Sequence, residues 1–477
     1  MHRGFRRAAA LAAFLVFLPA APGMTTSAGA YSVKKVAPAR VTRAGAMFKV
    51  PRIRPRRIRA ARLITRHHTY RLNVRRVRKA VRGGGTLDVR EPAAAPGQPA
   101  ATPVVDNASV LVIQVSGPAP APASKPASSP PPAPAIPHPV QGIASGVLGA
   151  PGCDPAWGSF GSGVRPPGCW RPYAPDSPFN REIAATAPTA ANSDAVVSRL
   201  ISFGHIQNML AGTAGRGELD GGRPLFFSAA TDPVFTVHCT ENWGTCAVEG
   251  AQIRIPDGAQ PAGGSDAHLS VIDQASGWEY DFWGVESKPS GGGTLTIRWG
   301  GKTRIDGNGL GSDAVAAQYG TAAGVLRAEE LASGQINHAL FLGVACDSGQ
   351  WVYPATKGGS QCADPTNAPP EGTRFQLTLS DAQIQALPVP DWKKTILTAM
   401  AHYGMIVGDT GGTWGIAQES EVAYTSVGAP DPWVALAKQA NVPYYAPDQD
   451  YVFNLADGVD WAHDLRVVQP CASQGTC

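Results

Sequence analysis

The feature that most limits what this chain can fold into is its division of charge. Residues 31–90 carry 19 Lys or Arg against one acidic residue, Asp88, a net +18. Residues 151–477 carry 18 Lys or Arg against 33 Asp or Glu, a net −15. Like charges at the density of the first stretch repel one another and oppose a compact core. Its apolar residues, such as Val50, Ile53, Ile58, Leu63 and Ile64, hold no long amphipathic period. The acidic stretch is long enough to bury a substantial core. The expectation is a basic arm tethered to an acidic globular domain, two bodies that need not share a partner.

Other segments mark out the organisation. Arg3, Arg6 and Arg7 precede an apolar run from Ala8 to about Ala21, and Ala28-Gly29-Ala30 offers small residues for cleavage. This reads as a signal peptide over residues 1–30, with Tyr31 as the mature start. The run is short of the roughly 20 apolar residues a membrane span needs, so a secreted protein is expected, extracellular or cell-wall associated. Residues 31–116 read as the arm, largely disordered, with one candidate strand at residues 107–116, where β-branched residues are dense. Residues 117–141 are a Pro, Ala and Ser spacer that favours polyproline II. The globular domain is then residues 142–477, and the chain reads as a monomer.

All eight cysteines lie after residue 150 and fall in close pairs: Cys153 with Cys169, Cys239 with Cys246, Cys346 with Cys362, Cys471 with Cys477. Eight cysteines allow 105 connectivities, among which pairing of neighbours is favoured because each pair closes one short loop. No C-x-x-C occurs and no His stands at finger spacing, which argues against zinc.

Glycine-rich turns separate short runs of β-branched and aromatic residues: Leu225 to Ser228, Val234 to His238, Ala267 to Asp273, Trp278 to Trp283, Thr294 to Trp299, His338 to Ala345 and Arg374 to Leu379. Helical patterns cover Asp194 to Met209, Ser312 to Ala332 and Asp391 to Tyr403. The expected fold is mainly β, a sandwich or jelly roll with a few packed helices.

Several signatures are missing: no G-x-S-x-G, no H-E-x-x-H, no Walker loop and no dinucleotide fingerprint. The strongest positive signal is Gly263-Gly264-Ser265-Asp266-Ala267-His268-Leu269-Ser270. In a strand, Asp266, His268 and Ser270 share a face, and an Asp beside a His can fix its tautomer. The run Trp278 to Trp283 reads as the partner strand of a hairpin, with Glu279, Asp281 and Trp283 on one face and Trp278, Tyr280 and Phe282 on the other. Carboxylates flanked by aromatic rings suit sugar recognition; equally, the aromatics could be core and the charges solvated. His338 starts an apolar strand, and it gains a chemical role only if it meets His268. Asp409 ends a strand at a glycine turn. Asp306-Gly307-Asn308-Gly309 with Asp313 fails the EF-hand spacing and leaves only a loose structural calcium site as an expectation; no other cofactor is called for.

The segments Arg171-Pro-Tyr-Ala-Pro-Asp-Ser-Pro-Phe-Asn180, Gly264-Ser-Asp-Ala-His268, Glu279-Tyr-Asp-Phe-Trp283 and Asn337-His-Ala-Leu340 resemble a group of secreted actinobacterial proteins without an assigned activity. The resemblance covers about residues 150–470. It implies a shared extracellular domain and assigns no catalytic residue.

Two functions remain. One is a polysaccharide-cleaving enzyme. As a glycoside hydrolase it would use two carboxylates about 5–9.5 Å apart, Asp266 and Asp281 with Glu279 as substitute, tuned by His268. As a lyase it would use His268 or His338 as base and Arg298 or Arg304 to neutralise a uronate. Trp278 and Trp283 would hold the sugar. The domain's negative charge disfavours polyanionic substrates, so hydrolysis is preferred to lyase chemistry. The alternative is a non-catalytic envelope or glycan-binding protein, its basic arm on an anionic cell-wall polymer. Nucleic acid is not an expected partner of an exported chain.

Overall fold

The structure is a computed structural model of the 477-residue chain. It describes seven strand segments between residues 31 and 116, then residues 153, 157–161 and 164–477. The signal peptide, the linker and the rest of the arm lie outside the described residues. The chain divides into two units, Met1–Pro134 and Ala135–Cys477. In the first, β1 (Tyr31–Val36), β7 (Val110–Ser116), β4 (Ile58–Ile64) and β5 (Thr69–Arg71) pair in that order. A second sheet runs β2 (Pro38–Thr42), β3 (Gly45–Lys49), β6 (Thr86–Arg90). The strand expected within residues 107–116 corresponds to β7.

The second unit is mainly β with a few helices. Its largest sheet has the order β11-β10-β14-β13-β12-β9, built from β9 (Leu225–Ser228), β10 (Val234–Cys239), β11 (Gln252–Arg254), β12 (Leu269–Asp273), β13 (Trp278–Ser287) and β14 (Gly293–Arg304). The expected hairpin is present: β12 and β13 pair antiparallel, Ser270 opposite Asp281 and Ile272 opposite Glu279. A five-stranded sheet follows the order β18-β15-β17-β16-β21, from β15 (Leu340–Val344), β16 (Arg374–Leu377), β17 (Met405–Thr410), β18 (Gly415–Ile416) and β21 (Leu465–Val468). β8 (Met209–Ala211), β20 (Asp450–Phe453) and β19 (Tyr444–Tyr445) make a small third sheet. The pairs β9–β12, β10–β14 and β15–β17 are parallel, so the two larger sheets are mixed, unlike a wholly antiparallel jelly roll.

Alternation along the strands decides three cores. Leu225, Phe227 and Ile272 point toward Phe341 and Ile406 of the other sheet, with Trp170, Phe179 and Tyr319 between them. Phe226, Val271 and Phe282 point to the opposite face and pack with Phe235, Leu295 and Ile297. Leu340, Leu342 and Val407 turn to a third core beneath the helices α1 (Ser193–Ser202) and α4 (Asp391–His402). Strands buried on both faces explain why β9 and β12 read as near-continuous apolar runs.

Two helix expectations are corrected. The pattern from Asp194 to Met209 gives only α1, which stops before Gly204, where φ is +118°. The pattern from Ser312 to Ala332 gives only α2 (Ala328–Ser333). Residues 312–327 are turns because their polar groups are taken elsewhere: Ser312 donates to Asp281, Ala322 N–H to Glu279, and Ala317 N–H to the Gly408 carbonyl. Four disulfides join the four neighbouring cysteine pairs. They fit an oxidising compartment. Among the described residues no helix is long and apolar enough to cross a membrane.

Candidate active site

The two large sheets meet at a polar cluster whose centre is Arg223, the residue before Pro224 and β9. Pro224 C=O accepts from Ser270 N–H, which sets Arg223 beside His268 at the entry of β12. The guanidinium lies 3.8 Å from the Phe341 ring centroid, and its Nη2 is 3.4 Å from Asp409 Oδ2. The side chains of Arg223 and Asp409 are 8% and 30% exposed, so the pair lies at the edge of solvent.

A β-bulge delivers Asp409. On β17, Ile406 faces the inter-sheet core and Val407 the helices, so unbroken alternation would turn Asp409 away from Arg223. The β15–β17 register shifts between Leu342 and Gly343, and Gly343 pairs with Asp409 rather than Gly408. The extra residue, Gly408, returns Asp409 to the inter-sheet side. It has to be small, because a Cβ there would lie 2.6 Å from Phe341 Cζ.

Asp266 and His268 do not sit on one strand face as expected. Ala267 between them has φ +39°, and β12 begins only at Leu269. Asp266 is therefore exposed at the rim, where it accepts from Trp283 Nε1 at 3.2 Å. His268 is buried. Burial and then the positive charge of Arg223 lower it to about 3, with the Phe282 backbone opposing, so its imidazole is neutral. Burial likewise lowers Arg223, against the pull of Asp409, Asp281, Asp266 and Glu371. Asp409 is raised by burial, and Arg223 opposes that rise.

Glu279 and Asp281 share a face, as alternation requires, but that face is the interior and both are fully buried. Neither is a solvated charge. Tyr173 Oη donates to Glu279 Oε2 at 2.6 Å and Ala322 N–H to Oε1 at 2.8 Å. Ser312 Oγ donates to Asp281 Oδ2 at 2.6 Å. Burial raises both carboxyls, and Asp281 raises Glu279 further. They form the floor of the site, out of reach of a polymer.

Above that floor stands a tryptophan platform. Trp283 pairs with Trp299 across β13–β14. Trp243, 60% exposed, stacks on both at 5.5 and 5.6 Å between centroids. Trp243 belongs to the loop closed by Cys239–Cys246, and Glu241 of that loop takes two bonds from Arg298, 2.9 and 2.6 Å. The Arg298 guanidinium covers Trp283 at 4.1 Å. Trp299 Nε1 donates to Asp313, which also pairs with Lys357.

The remaining expected residues lie elsewhere. His338 is buried against Glu330 Oε1 at 2.9 Å and the Ala339 carbonyl, with Arg327 on the same Glu330; it makes no contact with His268. Trp278 and Arg304 occupy the far end of β13–β14, on the opposite face from Trp283. Asp306 is bound by Arg304 at 2.8 and 2.7 Å while Asp313 serves Trp299 and Lys357, so the two do not converge on a calcium ion. Among the described residues no group of three His, Cys, Asp or Glu is placed to hold a metal.

Sequence reasoning missed Arg223, Glu371 and Trp243. Glu371 is fully buried, and burial with the charges of Asp409 and Asp347 pushes it up to about 9. Arg223 Nη1 and His268 Nδ1 are buried and unpartnered. An unmade buried hydrogen bond costs about 1–3 kcal/mol, so two such groups, one on the ion pair and one beside it, call for a functional explanation. The local signals were faint: a Gly-Gly-Arg-Pro entry to a strand, a Pro-Pro-Glu-Gly turn, and a tryptophan between two close cysteines. The fold and site define a mainly β domain with a buried polar cluster beneath an aromatic platform. Comparison with protein-family models, with curated proteins and with solved structures finds no match to this chain.

Proposed function

We propose that the second unit is a secreted carbohydrate-active enzyme that lays a polysaccharide on the exposed Trp243 and half-buried Trp283, backed by the buried Trp299, and cleaves it beside Arg223. The observation that carries this reading is the Trp283 Nε1–Asp266 hydrogen bond, which joins the stacking surface to the carboxylate cluster. Indole faces stack on pyranose rings, and glycoside hydrolysis needs two carboxyls in different protonation states. Asp409, held beside Arg223, and Asp266, exposed at the rim, are assigned as the two carboxyls. This pair replaces Asp266 with Asp281, because Asp281 is sealed beneath Ser312. Arg223 restrains Asp409 and sets its charge.

Lyase chemistry is the second reading. It is favoured by the cationic Arg223 at the edge of solvent and by the neutral His268 beside it. Incubating the protein, disulfides intact, with a polysaccharide panel separates the two. New reducing ends without unsaturated-uronate absorbance mean hydrolysis, and both signals together mean elimination. Asp409→Asn and Asp266→Asn each lower the rate by about 10²-fold or more, the usual worth of general acid–base catalysis. Undiminished cleavage in both variants refutes the assignment. Silence across the panel favours a non-catalytic glycan-binding protein held by its basic arm on an anionic wall polymer.

A further inference from the structure

We infer that the second unit has another glycan-binding site, remote from the cleavage cluster, in the groove formed by Trp278, Lys302, Arg304, Asp306, Asn308 and Asp176, and that it takes a neutral saccharide. The groove encloses about 540 Å³. Trp278 and Trp283 are five residues apart on β13, roughly 17 Å along the strand, and the odd spacing puts them on opposite faces. One pyranose cannot touch both. Trp278 is partly exposed, with Lys302 Nζ and Arg304 Cζ at 4.9 and 5.5 Å from its ring centroid.

The ligand class follows from which polar groups are already engaged. Arg304 spends three of its five N–H donors: Nε and Nη2 hold Asp306, and one Nη1 N–H goes to the Ser276 carbonyl. Lys302, in contrast, pairs with no carboxylate among the described residues, and the exposed Asp176 carboxylate accepts from no cation there. Asn308 uses its Oδ1 on Leu310 N–H, while its amide N–H₂ is not engaged. The groove therefore offers one unpaired cation, one unpaired carboxylate and one free amide donor around an indole, with a net charge of zero. Sugar hydroxyls donate and accept at once and satisfy such a mixture. A polyanion would meet Asp176 unpaired.

Affinity electrophoresis tests this. The intact Asp409→Asn chain, in which cleavage cannot obscure binding, is run through native gels containing xylan, arabinan, mixed-linkage β-glucan or polygalacturonate. At least one neutral polymer slows migration. Trp278→Ala and Lys302→Met each weaken the slowing several-fold, and a part of it persists in Trp283→Ala. Slowing that is unchanged in Trp278→Ala and Lys302→Met but is lost in Trp283→Ala places all binding in the cleft and overturns the inference. Slowing by polygalacturonate alone, or by no polymer, overturns it as well. The Lys302 variant keeps the test valid if Trp278→Ala fails to fold. None of these readouts depends on cleavage, so failure of the proposed enzyme activity leaves the result interpretable.

Discussion

Replacing Glu371 with Gln should stabilise the second unit, and the gain should grow with pH. Glu371 is fully buried between Asp347, Asp409, Tyr319 and Arg223. Its carboxyl is raised from 4.5 to about 9 in the folded state. Between those values the folded protein keeps a proton that the unfolded chain releases. Its contribution is therefore fully present below about pH 4.5 and is lost as pH rises through about 9. One proton of difference changes stability by about 1.4 kcal/mol per pH unit. From pH 6 to pH 8 the native protein should lose up to about 2.7 kcal/mol relative to Glu371→Gln. Sharing of charge with Asp409 and Asp347 makes that figure a ceiling. All 11 tryptophans lie beyond residue 150, so intrinsic fluorescence in urea titrations follows this unit alone. A gap between variant and native protein that stays constant from pH 5 to 8 would refute the reasoning, whatever its sign, because only a retained proton gives it a slope.

Three further outcomes can be checked. Ser312→Ala strips the buried Asp281 Oδ2 of its donor and should cost about 1–3 kcal/mol in urea unfolding. His338→Ala leaves the buried Glu330 with Arg327 alone and should destabilise by about 3 kcal/mol, yet the folded fraction should keep its turnover number; a collapse in turnover would give His338 the chemical role its contacts deny it. Trp243→Ala removes the exposed ring of the platform and should raise KM for polymers several-fold with little change in kcat, because the stacking it provides is uniform binding.

The fold was legible where a strand is buried on both faces. Leu225–Ser228 and the Trp278 hairpin announce themselves by β-branched and aromatic runs between glycines. The helix pattern at residues 312–332 misled because the energy that decides those turns comes from Asp281 and Glu279, carboxylates more than thirty residues away. Asp266, His268 and Asp409 were all visible as candidates. Their grouping was not, because two local departures from regular geometry decide it: the positive φ at Ala267 and the bulge at Gly408. Alternation rules assume neither.

The sequence by itself determined the charge division, the mainly β character of the acidic part and the neighbouring disulfides that short loops favour, all properties of composition and near spacing. Only the tertiary structure decided which charges are buried, that Arg223 unites residues from both sheets, and that His338 belongs to a separate network. Burial and charge pairing are set by groups far apart in the chain, and a sequence read locally has no access to the distance between them.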